Sequence, residues 1–130
     1  MNFFKIVSIL TSLLFIFLFY QLFLNSDSFV IGLGLQSTAS TSILSRRTSM
    51  FMLGLSILLF CSRNLSHSLA RQYICLSTGI TMLGLACMGS YELIMGTVNS
   101  SMMIAIFIEI TLGTSFLIVF LRNRKAKIIQ

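Results

Sequence analysis

Residues 6–24 read IVSILTSLLFIFLFYQLFL, and this stretch decides the class of fold. It holds no charged residue over nineteen positions, and Lys5 precedes it. A helix needs about 20 apolar residues to cross a bilayer, whereas the apolar region of a cleavable signal peptide spans about 7 to 15 and ends in small residues. This run is longer and ends in Phe23-Leu24-Asn25. It therefore predicts a transmembrane helix that is retained as an anchor.

The composition of the whole chain agrees with a membrane environment. Of the 130 residues, 56% are hydrophobic and 9% are charged, and the mean hydropathy is +0.97. A soluble domain uses about a quarter of its residues as charged ones. The net charge of +6 does not indicate nucleic acid, because the basic residues flank apolar runs instead of lying on a solvated face with stacking aromatics. We expect the lipid bilayer as the surroundings and no nucleic-acid partner.

Three further apolar runs predict three more spans. With the first, they place helices at about 4–24, 42–62, 73–95 and 101–121 in a single membrane domain. The connections 63–72 and 96–100 have the lengths of tight hairpins between antiparallel neighbours. Residues 25–41 are rich in Ser, Thr and Gly and predict an outer loop or a short interfacial helix. The expected fold is all-α, a transmembrane four-helix up-down-up-down bundle.

The basic residues predict the orientation of this bundle. With the N-terminus inside, seven of the nine basic residues lie in the cytoplasm, and only Arg46 and Arg47 lie on the outer side. Cytoplasmic loops of membrane proteins carry the excess of Lys and Arg. We therefore expect both termini in the cytoplasm, with residues 122–127 as an anchor at the lipid headgroups.

Charged residues also fall within or at the edges of the predicted spans: Arg46, Arg47, Glu92 and Glu109. A charge at the centre of a membrane helix costs at least about 2.5 to 3.5 kcal/mol unless it is paired or hydrated. Such side chains are expected to face inward. Ala105 and Gly113 lie one helical turn on either side of Glu109, and small residues on that face permit close approach of another helix.

We predict that these side chains form a polar centre in the outer half of the bundle. Arg47 would pair with Glu109, and Arg46 would form a shallower pair with Glu92. Gln21 of the first span lies within reach of both. Two alternatives stay open: the pairs only lock the helices in register, or the arginines extend to the outer headgroups and never meet an acid.

The remaining reactive side chains do not indicate a metal centre or an enzyme. Cys61, Cys75 and Cys87 form no C-x-x-C pair, and the only histidine, His67, lies on the opposite side of the membrane from both glutamates. The Ser and Thr residues lack a histidine at membrane depth that would act as a base. We expect no cofactor, no metal and no catalytic residue, and an intramembrane enzyme that acts on a lipid is the weakest alternative.

Two short motifs carry a family resemblance. Gly-Leu-Gly-Leu stands at residues 32–35 after the first span, and Arg-Arg-Thr-Ser-Met at residues 46–50 opens the second. In this plan the chain resembles small, mostly uncharacterised four-span membrane proteins of the DoxX-like kind. The resemblance implies a four-helix protein of the bacterial inner (plasma) membrane, and it implies no reaction and no site residue.

Two functions follow as expectations from these features. The first is an oligomeric module that binds or transports an ion, a proton or a small solute at the polar centre, because small membrane chains commonly form homo-oligomers. The second is a non-catalytic accessory or scaffold subunit of a larger membrane complex, in which the Arg and Glu side chains hold helices together.

The predicted orientation is testable by cysteine labelling in membranes. Residues of the connection 25–41 should be accessible from outside, whereas those of the connection 63–72 and of the tail after Arg122 should be accessible from inside. The reverse pattern would contradict the orientation inferred from the basic residues.

Overall fold

Four long helices and one short helix form the part of the chain that this computed structural model describes, residues 3–126, with side chains to residue 122. They are α1 (Phe3–Leu24), α2 (Ser26–Gly32), α3 (Ala39–Ser62), α4 (Leu69–Ile94) and α5 (Met102–Ala126). All except α2 are long and apolar enough to cross a membrane. The predicted all-α fold with four spans is therefore confirmed, and the chain has the helices of a multi-pass membrane protein.

Hydroxyl side chains fix where α3 and α4 begin. The Thr38 side chain accepts a hydrogen bond from the Thr41 N–H, and the Thr41 side chain accepts one from the Thr38 N–H. Ser68 accepts a hydrogen bond from the Arg71 N–H in the same way. Such caps satisfy N–H groups that the first turn of a helix leaves without a partner. The helices consequently begin about one turn before the predicted starts near residues 42 and 73.

The spans pack as two hairpins. α1 packs along α3, α4 packs along α5, and the hairpins meet where α1 touches α5. α2 lies against both α1 and α3. Within residues 3–126, α3 forms no packed pair with α4 or α5. We call the end that holds α2 and the α4–α5 turn the α2 end, and the opposite end, where α1 begins, the terminal end.

A reciprocal pair of serine hydrogen bonds joins α1 to α3. The Ser12 hydroxyl donates to the Ser56 carbonyl, and the Ser56 hydroxyl donates to the Ser12 carbonyl, both at 2.9 Å. Both side chains are buried. Small residues with hydroxyls let two membrane helices approach closely and hydrogen-bond across the interface. The pair fixes the register of the first hairpin.

The second hairpin is held by glycines. Gly113 of α5 lies against Leu83 and Met82 of α4, so close that a Cβ atom at position 113 would lie 2.9 Å from Leu83 Cγ. Gly79 of α4 leaves similar room for Leu117, and Gly89 leaves room for Ile106. The small residues Ser77, Thr81 and Gly84 face outward instead. The face of α4 that packs closely against α5 is thus the one that carries Gly79 and Gly89.

The hairpins join at both ends of the molecule. At the terminal end, side chains from all four spans form a buried apolar core that includes Phe4, Leu59, Cys75 and Phe116. At the α2 end, the Asn99 N–H donates to the Leu33 carbonyl at 2.9 Å, and the Asn99 side-chain amide donates to the Gly32 carbonyl at 2.8 Å. Between these junctions, α1 and α5 diverge enough to leave an apolar cavity.

We expect Gly113→Ala to destabilise the chain, because the new methyl group would overlap Leu83 and Met82. Overpacking of this kind costs about 1 to 3 kcal/mol. Gly84→Ala is the matched control, since no atom lies within 4 Å of its new methyl group and the gain in helix propensity is the same. Thermal unfolding in detergent, followed by circular dichroism, measures both. Equal midpoints for the two variants would contradict close packing at Gly113.

Candidate functional site: charged and polar residues of the spans

Glu109 lies on the side of α5 that faces α4. Ile106, three residues before it, lies against Gly89, and Gly113, four residues after it, lies against Leu83. Glu109 is half-buried. Its Oε2 atom is buried and has no hydrogen-bond partner among the described residues. A buried carboxyl oxygen without a partner is costly, since the interior does not replace the hydrogen bonds of water.

The predicted pair between Arg47 and Glu109 is not formed within the chain. Arg47 is exposed on α3, and among the described helices α3 does not pack against α5. The reason is the order of packing, because α1 lies along α3 and itself makes the contact with α5. Arg47 and Glu109 thus belong to helices that do not pack against each other.

The predicted pair between Arg46 and Glu92 is not formed either. The Glu92 carboxylate accepts a hydrogen bond from the Thr97 hydroxyl, in the turn that follows α4. Arg46 is exposed and acts on the carboxylate of Asp27, which belongs to α2. The turn after α4 and the short helix α2 thus supply local partners that the helical spacing of the sequence does not reveal.

Gln21 takes part in a local contact near the end of α1. Its side-chain oxygen accepts a hydrogen bond of 3.3 Å from the Asn25 amide. One chain therefore does not assemble Gln21, Arg46, Arg47, Glu92 and Glu109 into one centre. Whether these residues bind a ligand stays a prediction.

Asp27 is the acid that fastens α2 to the start of α3. Its carboxylate accepts hydrogen bonds from the hydroxyls of Ser37, at 2.6 Å, and of Ser42. These hydrogen bonds, together with the nearby charge of Arg46, hold the pKa of Asp27 below its ordinary value of 3.8. In the sequence, this role is indicated only by the isolated position of Asp27 in a Ser- and Thr-rich connection.

Arg71 forms a second polar site, at the terminal end. The apolar pattern predicts it in the connection 63–72, but it lies in the first turn of α4 and is only 5% exposed. Its guanidinium carbon lies 4.3 Å from the ring centre of Phe4. Arg71 Nε and the hydroxyl of Ser8 are both buried without a hydrogen-bond partner in the described part of the chain. In the sequence, Ser68 indicates this position, because as a cap it starts α4 about one turn before the apolar run begins.

The cavity between the hairpins has a volume of about 300 Å³. Its lining is apolar apart from one threonine, and consists of Leu10, Leu14, Phe107, Ile108, Thr111 and Leu112. Glu109 is not among these lining residues. The cavity suits hydrocarbon better than an ion or a polar solute.

The described residues bring together no three His, Cys, Asp or Glu side chains that would hold a metal ion. Cys61, Cys75 and Cys87 are free thiols, and only Cys75 is buried. These side chains therefore give the spans no cluster of ligands.

We expect the Asp27 contacts to depend on pH. A lowered folded-state pKa means that the carboxylate form stabilises the contact, so the effect is complete above the ordinary pKa and is lost as pH falls through the folded value. Hydrogen exchange of the α2 amides, compared between the wild type and Asp27→Asn, should differ at pH 6, and the difference should shrink as the pH falls well below 3.8. Glu92→Gln is the control and should leave α2 unchanged. A difference that does not change with pH would contradict this assignment.

No protein-family profile, curated protein or solved structure matches this chain. The resemblance to DoxX-like proteins therefore stays a prediction.

Proposed function

We propose that this chain is a non-catalytic membrane subunit that works by assembling with other transmembrane helices, and that its partner is a second copy of itself. The observation that carries the proposal is the unsatisfied carboxyl oxygen of Glu109 within a span. The first expected function, an oligomeric module, and the second, an accessory subunit, share this step of assembly.

Glu109 needs a partner that the described residues of one chain do not provide. An ionisable group at membrane depth is stabilised by a charge or a donor in the protein, or by a water-filled cavity. Among the described residues, no donor reaches Glu109 Oε2. Glu109 as a whole is only half-buried, so part of its side chain faces outward, where a helix from outside the chain can contact it.

Arg47 is the cation at a matching depth. At about 1.5 Å of rise per residue, Arg47 lies about 5 Å from the midpoint of α3 and Glu109 about 4.5 Å from the midpoint of its span, both toward the α2 end. Two copies with the same orientation would hold these side chains at nearly one level. Arg47 and Glu109 lie on different helices, so the contact also gives the assembly a defined register.

The surroundings of both residues exclude water once two copies meet. Large apolar side chains are exposed beside Arg47, among them Leu44 and Phe51, and beside Glu109, among them Phe107 and Ile110. A charge pair enclosed by such side chains is screened far less than a pair in water. Losing one partner of a buried pair costs about 3 to 5 kcal/mol.

Transport is a weaker proposal than assembly. The cavity between the hairpins is apolar and Glu109 does not line it, so this cavity gives an ion or a proton no polar surroundings. A larger membrane protein of another kind is the alternative source of the cation for Glu109. The assembly experiment separates these possibilities.

The test measures self-association in lipid nanodiscs or at controlled protein-to-lipid ratios, by energy transfer between labelled copies. We expect the wild type to associate, and Arg47→Gln and Glu109→Gln each to weaken association at least tenfold, equivalent to about 1.4 kcal/mol. Arg46→Gln and Glu92→Gln are matched controls, because Glu92 accepts a hydrogen bond within its own turn and the charge of Arg46 lies near the Asp27 carboxylate. Each single charge reversal, Arg47→Glu or Glu109→Arg, should abolish association. The double variant exchanges the two charges and should restore it.

Two results would contradict the proposal. A wild type that stays monomeric at every ratio would exclude the second copy as partner and favour a different membrane protein. Association that is unchanged in both glutamine variants would show that the copies meet elsewhere. Folding of each variant is checked by its helical circular dichroism.

A further inference from the structure

Arg71 is a buried cation, and none of the acidic side chains of the chain lies near it. The chain contains three acidic residues, Asp27, Glu92 and Glu109. Asp27 lies in α2 at the far end, and Glu92 lies about 31 Å from Arg71 along the same helix at about 1.5 Å per residue. Glu109 lies in the half of α5 near the α2 end. None of these carboxylates reaches the guanidinium.

The surroundings of Arg71 add positive charge. Lys5, Arg63 and Arg122 lie at the same end of the molecule, and all three acidic side chains of the chain lie elsewhere. Arg71 also lies in the first turn of α4, where the helix dipole presents its positive end. A helix start of this kind favours an anion and disfavours a lone cation.

Two polar groups at this junction are left without partners. Arg71 Nε is buried and makes no hydrogen bond to the described residues, and the Ser8 hydroxyl, 0% exposed, makes none either. Ser8 follows Phe4 by one turn on the same face of α1, and the guanidinium of Arg71 stacks on the Phe4 ring. α1 and α4 thus each carry an unpartnered donor near Phe4.

Arg63 lies at the same end and has a hydrogen-bond acceptor. Its guanidinium carbon lies 3.7 Å from the ring centre of Phe60, and its Nη1 donates to the Phe60 carbonyl at 2.5 Å. The Arg63 guanidinium therefore finds both of its contacts within its own helix. The Arg71 guanidinium stacks on an aromatic ring, but its Nε donor has no acceptor among the described residues. The comparison makes Arg71 the position that needs an outside anion.

We propose that the junction of Phe4, Ser8 and Arg71 binds the phosphate group of an anionic phospholipid in the leaflet at the terminal end. Guanidinium groups recognise phosphate through directed hydrogen bonds as well as charge. Arg71 belongs to the first turn of a span, the depth at which lipid phosphates lie. Tyr73, exposed two residues further into the span, offers apolar contact for the acyl chains. The proposal does not depend on self-association.

The experiment uses the purified full-length chain in detergent and counts bound ligands by native mass spectrometry. The ligands are phosphatidylglycerol, phosphatidylcholine, diacylglycerol without phosphate, and inorganic phosphate without acyl chains. We expect phosphatidylglycerol to bind the wild type at least tenfold more tightly than Arg71→Gln, with a smaller loss in Ser8→Ala and partial recovery in Arg71→Lys. Arg63→Gln is the matched control and should bind as the wild type does.

A second measurement keeps the test independent of folding defects. In detergent without lipid, Arg71→Gln should unfold at a higher temperature than the wild type, because it lacks the uncompensated charge. Phosphatidylglycerol should raise the wild-type midpoint and leave that of Arg71→Gln unchanged. Equal binding of phosphatidylglycerol to both proteins would overturn the site, and equal effects of inorganic phosphate and phosphatidylglycerol would overturn its assignment to a lipid.

Discussion

Close approach at small residues holds this chain together. In hydrocarbon, apolar side chains gain little by leaving lipid for another helix, so packing and hydrogen bonds between helices decide which pairs form. Ser12 and Ser56 supply both for the first hairpin. Gly79, Gly89 and Gly113 supply the packing for the second. The position of every charged side chain in the spans follows from these two pairings, because they place α1 and not α3 beside α5.

The sequence predicts the number and class of the spans well, since each requirement is local. A span needs length and apolar composition, and residues 6–24 satisfy both without reference to the rest of the chain. The starts of α3 and α4 are also local, but they depend on the caps Thr38 and Ser68, which lie in polar segments outside the apolar runs. Composition alone therefore places these starts too late.

The candidate site is harder to predict because it depends on which helices are neighbours. Helical spacing correctly places Glu109 beside a close-packed glycine, Gly113, but it does not reveal that α1 separates Arg47 from it. On α4, two faces carry small residues, and the pattern does not distinguish Gly79, which packs on α5, from Gly84, which faces outward. Long-range pairing decides such cases, and an apolar chain with three acidic residues gives little periodicity from which to infer it.

The hairpin arrangement has a consequence for how the chain assembles during synthesis. Each hairpin consists of spans that follow one another in sequence, α1 with α3 and α4 with α5. The serine bonds of the first can therefore close before α4 has left the ribosome, since they need nothing from the second half. Contacts that close early and locally limit the time for which polar groups stay exposed to lipid. The final docking then requires only two preformed units to meet in the plane of the membrane.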